Sequence, residues 1–90
     1  MQALTPDQEH LLMKAAGLVA ITVEWGGGEC VARSLVEKGL FEQVDEKVVQ
    51  GLYPHTRAHH WTYRLTHPGR QEAAARIKKG TKLQRRLLAV

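Results

Sequence analysis

The side chains of this 90-residue chain best suited to engaging a ligand are Arg33, Ser34 and Lys38, then Arg57, His59 and Arg64, and finally Arg85 and Arg86. Guanidinium, ammonium, hydroxyl and imidazole groups donate to phosphate oxygens and to the acceptor edges of bases, so this set points toward nucleic acid. The charge layout agrees. Residues 1–30 carry Lys14 against four carboxylates, residues 31–50 are nearly neutral, and residues 51–90 carry nine lysines and arginines against Glu72 alone. A basic segment of this kind gains affinity for a polyanion by releasing condensed counterions. Beside it stands the simpler reading that charge on a last helix is a solvated face.

Other chemistries find less support. His55, His59, His60 and Cys30 contain the right atoms for a metal. Histidines four apart share a face only on a helix, however, and Pro54 followed by an alternating segment argues for a hairpin. No metal and no cofactor is expected. Cys30, small and near the start of a helix, reads as a core residue. There is no phosphate-binding G-x-x-x-x-G-K, no H-E-x-x-H and no serine elbow between glycines, and no carboxylate is paired with a base in an apolar setting. The chain reads as a non-enzyme.

Composition sets the frame for these groups. Ninety residues with 43% apolar content correspond to one domain near the lower size limit for a single core. A core this small leaves room for a homodimer through the C-terminal helix. One cysteine allows no internal disulfide, no apolar run is long enough to span a bilayer, and no leader pattern opens the chain, so a cytoplasmic protein is expected.

The elements that must carry the candidate residues are well punctuated. Thr5, Pro6 and Gln8 form a T-x-x-Q capping box opening a helix over Pro6–Ala16, with Leu11, Leu12, Ala15 and Ala16 as its buried stripe. Leu18–Trp25 is rich in β-branched residues and predicts a strand, and Gly26–Gly28 predict a turn into a helix from about Glu29. That helix buries Val31, Leu35 and Val36 and stops at Gly39, with Leu40 docking beyond it. Its outward set is Glu29, Arg33, Ser34, Glu37 and Lys38. A hairpin follows, with Val44, Val48 and Val49 in its first strand and a long tip around Pro54. In its second strand Trp61, Tyr63 and Leu65 face the helices, while His60, Thr62 and Arg64 face away. Thr66 caps a helix with Pro68 in its first turn, running through Ala73, Ala74 and Ile77 to Gly80. Leu83, Leu87 and Leu88 then form one more stripe, either on a resumed helix or on a tail that packs against a partner.

The order helix, short strand, helix, β-hairpin, C-terminal helix resembles the winged helix-turn-helix domains of small bacterial and phage regulators. The pieces that carry the resemblance are Leu4-Thr5, Leu35 to Leu40, and Tyr63 to Thr66 with Gly69. It implies an α+β winged-helix domain over residues 1–80, with residues 81–90 as a basic amphipathic tail or helix extension. It further implies a transcriptional regulator that binds double-stranded DNA through the helix holding Arg33, the wing and the basic tail. The alternative is a winged-helix protein-interaction module, a phage-encoded modulator of a host complex that does not bind DNA. One departure is visible. Only Gly17–Gly28 separates the two clear helices, so the positioning helix of a helix-turn-helix is missing or degenerate.

Overall fold

The first helix shows how local chemistry sets the architecture. In the computed structural model, which describes residues 2–18, 20–24, 27–50 and 57–89, helix α1 runs Pro6–Ala16. The Thr5 hydroxyl accepts from the Gln8 amide at 3.2 Å and the Gln8 side chain accepts from the Thr5 amide at 3.0 Å, closing the capping box. The remaining elements are β1 (Ile21–Glu24), α2 (Gly27–Glu37), β2 (Phe41–Gln50), β3 (Arg57–Leu65), α3 (His67–Ala75) and α4 (Lys82–Leu88). Four helices and one antiparallel sheet of strand order β1-β3-β2 make a small α+β fold.

Strand β3 is central. Ile21 pairs with Tyr63 and Val23 with Trp61 on one side, while Phe41 pairs with Leu65 and Gln43 with Tyr63 on the other. A bulge between Gln43 and Asp45 leaves Val44 outside the register, 43% exposed on an edge strand. Alternation turns Trp61 and Tyr63 toward the helices, where they meet Leu12, Leu35, Leu40 and Phe41 in the core. The Phe41 and Tyr63 rings stack with centroids 6.1 Å apart.

One joint closes the base of the hairpin. Gly39 takes φ +79° just beyond α2, a conformation glycine adopts without a Cβ clash, and the Leu40 amide donates back to Leu35 at 3.0 Å. At the far end of β3, the Thr66 amide donates to the Leu40 carbonyl at 3.1 Å, and its hydroxyl donates to the Gly39 carbonyl at 2.5 Å. The same hydroxyl accepts from the Gly69 amide at 3.0 Å and caps α3. Gly69 is buried so tightly that a Cβ there would overlap the Leu40 carbonyl oxygen and lie 2.9 Å from its carbon.

Several boundaries differ from the sequence expectations. Gly27 and Gly28 begin α2 rather than forming a turn, because amides of a first helical turn need no intrahelical partner and open space surrounds Gly27. Strand β1 is shorter than Leu18–Trp25, and Leu18 is exposed beside the end of α1. Helix α3 stops at Ala75. The Arg76 side chain turns back on its own helix, with Nη1 2.5 Å from Glu72 Oε2 and Nη2 donating to the Gln2 carbonyl at 2.6 Å. After Gly80, at φ +85°, the chain restarts as α4 with Thr81 as cap. Leu87 joins the core and Leu83 packs against it, whereas Leu88 is 51% exposed. Expectations placed on Val19, Trp25, Gly26, Pro54, His55 and the Val49 side chain lie outside the described residues.

Two glycines of one fold should respond oppositely to alanine. Gly69→Ala is expected to cost about 3 kcal/mol or more in urea unfolding, since backbone must move. Gly28→Ala, whose new methyl meets only Val23 at 3.8 Å, should be neutral or stabilising by up to about 1 kcal/mol.

Acid should act through Glu72. Burial pushes its carboxyl up, but the Arg76 hydrogen bond, the Gln2 amide and the nearby positive charges outweigh that and hold it below the usual carboxylate range. The stability it contributes is therefore present above its unfolded pKa and lost as pH falls through the lower folded one. Glu72→Gln should flatten that acid limb in melts recorded from neutral pH downward.

Candidate nucleic-acid interface

The expected contact residues do not gather on one surface. On α2 the buried face holds Glu29, Ala32 and Leu35 and the exposed face holds Cys30, Arg33 and Glu37, followed by Lys38. Glu29, expected outside, is 6% exposed, and Arg33 Nε sits 2.5 Å from its Oε1. Arg33 is thus the counter-ion of a buried carboxylate, although 66% of its own side chain faces solvent. Ser34 also departs from the outward set. Its hydroxyl donates to the Val31 carbonyl at 2.6 Å and accepts from Gln8 Nε2 at 2.9 Å, fastening α2 to α1. Cys30, expected in the core, is exposed, because helical spacing puts it beside Arg33 and opposite Ala32 and Leu35. Lys38 is exposed at the end of the helix.

Beneath α2 the buried Glu29 carboxylate lies near the Tyr63 ring of the core. The Tyr63 hydroxyl is buried without a hydrogen-bond partner, and burial, then the nearby Glu29 carboxylate, push its pKa up. Arg33, beside both groups, works against that rise.

The hairpin satisfies most of its own charges. On the outer face of the sheet Arg64 pairs with Glu42, His60 Nε2 lies 3.5 Å from Glu24, and the Thr22 and Thr62 hydroxyls are 3.1 Å apart. His59 lies on the inner face instead. Its ring stacks on Trp61 at 4.0 Å and its Nε2 is 2.5 Å from Glu46. Arg57 is exposed at the start of β3 and has an interaction of its own. Among the described residues no group of three or more His, Cys, Asp or Glu side chains is arranged to hold a metal ion.

The C-terminal part is different. Lys78, Lys79, Lys82 and Arg85 are all exposed, and among the described residues none of them forms an ion pair. Lys82 and Arg85 lie three apart on α4 and so share a face, and Lys78 and Lys79 lie in the turn that leads into it. Arg86 departs from this ridge, since its Nη2 donates to the Ala16 carbonyl at the end of α1. Lys78, Lys79 and Lys82 were not singled out as contacts from the sequence, although the charge count of residues 51–90 contains them.

Arg33→Ala is expected to cost about 1 kcal/mol in chemical unfolding by stranding Glu29, discounted for the exposure of the arginine. Adding Glu29→Gln should recover most of that loss, a rescue that a purely external Arg33 would not show. No helix among the described residues is long and apolar enough to cross a membrane. No protein-family model, curated protein or solved structure matches the chain.

Proposed function

We propose that this chain is a small winged-helix protein of bacterial or phage origin that binds double-stranded DNA in the cytoplasm and regulates transcription. The observation that carries the reading is the run, or ridge, of Lys78, Lys79, Lys82 and Arg85, four exposed cations on one short stretch of chain with no carboxylate partner among the described residues. Unpaired cations at close spacing gain little for the fold itself and much from a row of phosphates. The helix, strand, helix, hairpin order with β3 between β1 and β2 supports the winged-helix part. Only α2 stands between β1 and β2 among the described residues, so backbone contacts come from α4 in place of a positioning helix. Contacts of this kind fix affinity and register but read little sequence.

A second reading, a protein-interaction module, draws on the face of α2. There Arg33 is neutralised by Glu29, Glu37 offsets Lys38, and a groove of about 350 Å³ lined by His10, Leu11, Gly28 and Val31 opens between α1 and the start of α2. Its partner would be met at that groove and would leave the basic ridge free. A homodimer through α4 would have to use Leu88, since Leu83 and Leu87 pack internally.

Fluorescence anisotropy with a random duplex over a salt series separates the two. DNA binding by the ridge should weaken steeply with salt, and Lys82→Ala with Arg85→Ala should weaken all sequences alike and reduce the log–log slope by about 2. Absence of binding at low salt would contradict it.

A further inference from the structure

Three arginines from three elements converge on one cleft of about 340 Å³ where the sheet, α1 and α4 come together. They are Arg64 of β3, Arg70 of α3 and Arg86 of α4, and the apolar wall comes from Leu18, Leu65 and Leu87. Arg70 donates from Nε to the Leu87 carbonyl at 3.0 Å and from Nη2 to the carbonyls of Arg86 at 2.7 Å and Ala89 at 3.2 Å, closing the end of α4. Arg86 does the same for α1 through the Ala16 carbonyl at 3.2 Å. These bonds use three N–H groups of Arg70 and one of Arg86, out of five in each guanidinium. Among the described residues neither arginine meets a carboxylate, and Glu42 engages Arg64 through Nε, leaving its terminal nitrogens.

Capping accounts for the bonded N–H groups. It does not account for a cleft lined by three arginines, two of which keep N–H donors to spare beside it. We propose that this cleft binds a phosphate group. A dianionic phosphate offers three acceptor oxygens to Arg70 and Arg86, whose guanidinium groups backbone carbonyls already hold in place. Little of their side-chain freedom is therefore lost on binding, while Arg64 is held by Glu42. A volume near 340 Å³ suits the phosphate together with a small apolar body against Leu18 and Leu87, the scale of a small phosphate ester. Because Arg64, Arg70 and Arg86 come from different elements, the bound anion ties β3, α3 and α4 together and must raise the melting temperature. Arg86 also lies beside Lys82, so the cleft adjoins the basic ridge, and an Arg85→Gln variant tells the two readings apart.

The test is thermal melting and titration calorimetry of the whole chain with inorganic phosphate at ionic strength matched by sodium chloride. A saturable rise in melting temperature is expected. Arg86→Gln, which keeps an amide donor for Ala16, and Arg64→Gln should each weaken phosphate binding about tenfold, while Arg85→Gln should leave it unchanged. A rise that never saturates and is equal in all variants, as an excluded salt produces, would overturn the proposal. Repeating the duplex titration with saturating phosphate identifies the source. Unchanged duplex affinity assigns the site to a free phosphate ester, and competition lost in Arg86→Gln assigns it to the DNA backbone.

Discussion

The contact of Gly69 with the Leu40 carbonyl is the constraint on which the rest of this structure hangs. Strand β2 starts at Phe41, immediately after Leu40, and β3 ends at Leu65, immediately before Thr66. Both strands of the hairpin are therefore anchored at the point where α2 stops and α3 begins. Thr66 binds that point three ways, to the Gly39 carbonyl, to the Leu40 carbonyl and to the Gly69 amide. Only a residue without a side chain lets α3 lie so close, and α4 follows because it packs on α3. The orientation of the basic ridge relative to α2 is consequently set by backbone contact at a single glycine.

A division of charge follows from that arrangement. The hairpin and α2 pair their acids and bases locally, as Glu42 with Arg64, Glu46 with His59, Glu24 with His60, and Glu29 with Arg33. Exposed pairs of this type add little stability, but Glu29 and Glu42 cancel most of the long-range field of Arg33 and Arg64. Glu9 and Glu72 do the same for Arg76. Among the described residues Lys14, Lys38 and Lys47 also lack an ion pair, but as scattered single charges; the longest run of bases left over is Lys78, Lys79, Lys82 and Arg85, with the arginine cleft beside it. A sequence count shows an excess of base in the C-terminal half; the fold shows which of those bases are already engaged.

Much of the architecture was legible because its signals are local. The Thr5 and Gln8 capping box, the stop at Gly39, the alternation of Trp61, Tyr63 and Leu65, and the Thr66 cap each depend on a few neighbouring residues. The same T-x-x-Q spacing at Thr81 and Gln84 marks the start of α4 and could have been read as such; here Gln84 Oε1 accepts from Gly80 at 2.8 Å and the Thr81 hydroxyl accepts from Gln84 at 3.2 Å. What was not legible depends on distant partners. Glu29 is buried because the sheet packs over it, Ser34 turns inward because Gln8 of α1 reaches it, and Cys30 is exposed because Glu29 takes the inward place. Gly27 and Gly28 look like a turn by composition, yet α2 begins through them. The candidate site suffered most from this. Six of the eight residues expected to contact DNA, Arg33, Ser34, Arg57, His59, Arg64 and Arg86, have partners within the chain, and Arg86 lines a cleft as well.

The central claim is that the ridge formed by Lys78, Lys79, Lys82 and Arg85, and not the face of α2, meets DNA. It is tested most directly by assigning the backbone amide resonances and following them while a short random duplex is added at low salt. DNA contact by the ridge shifts resonances between Lys78 and Arg85 and leaves Cys30, Arg33 and Glu37 unmoved. Shifts concentrated on Cys30 to Lys38, or none anywhere, would contradict it.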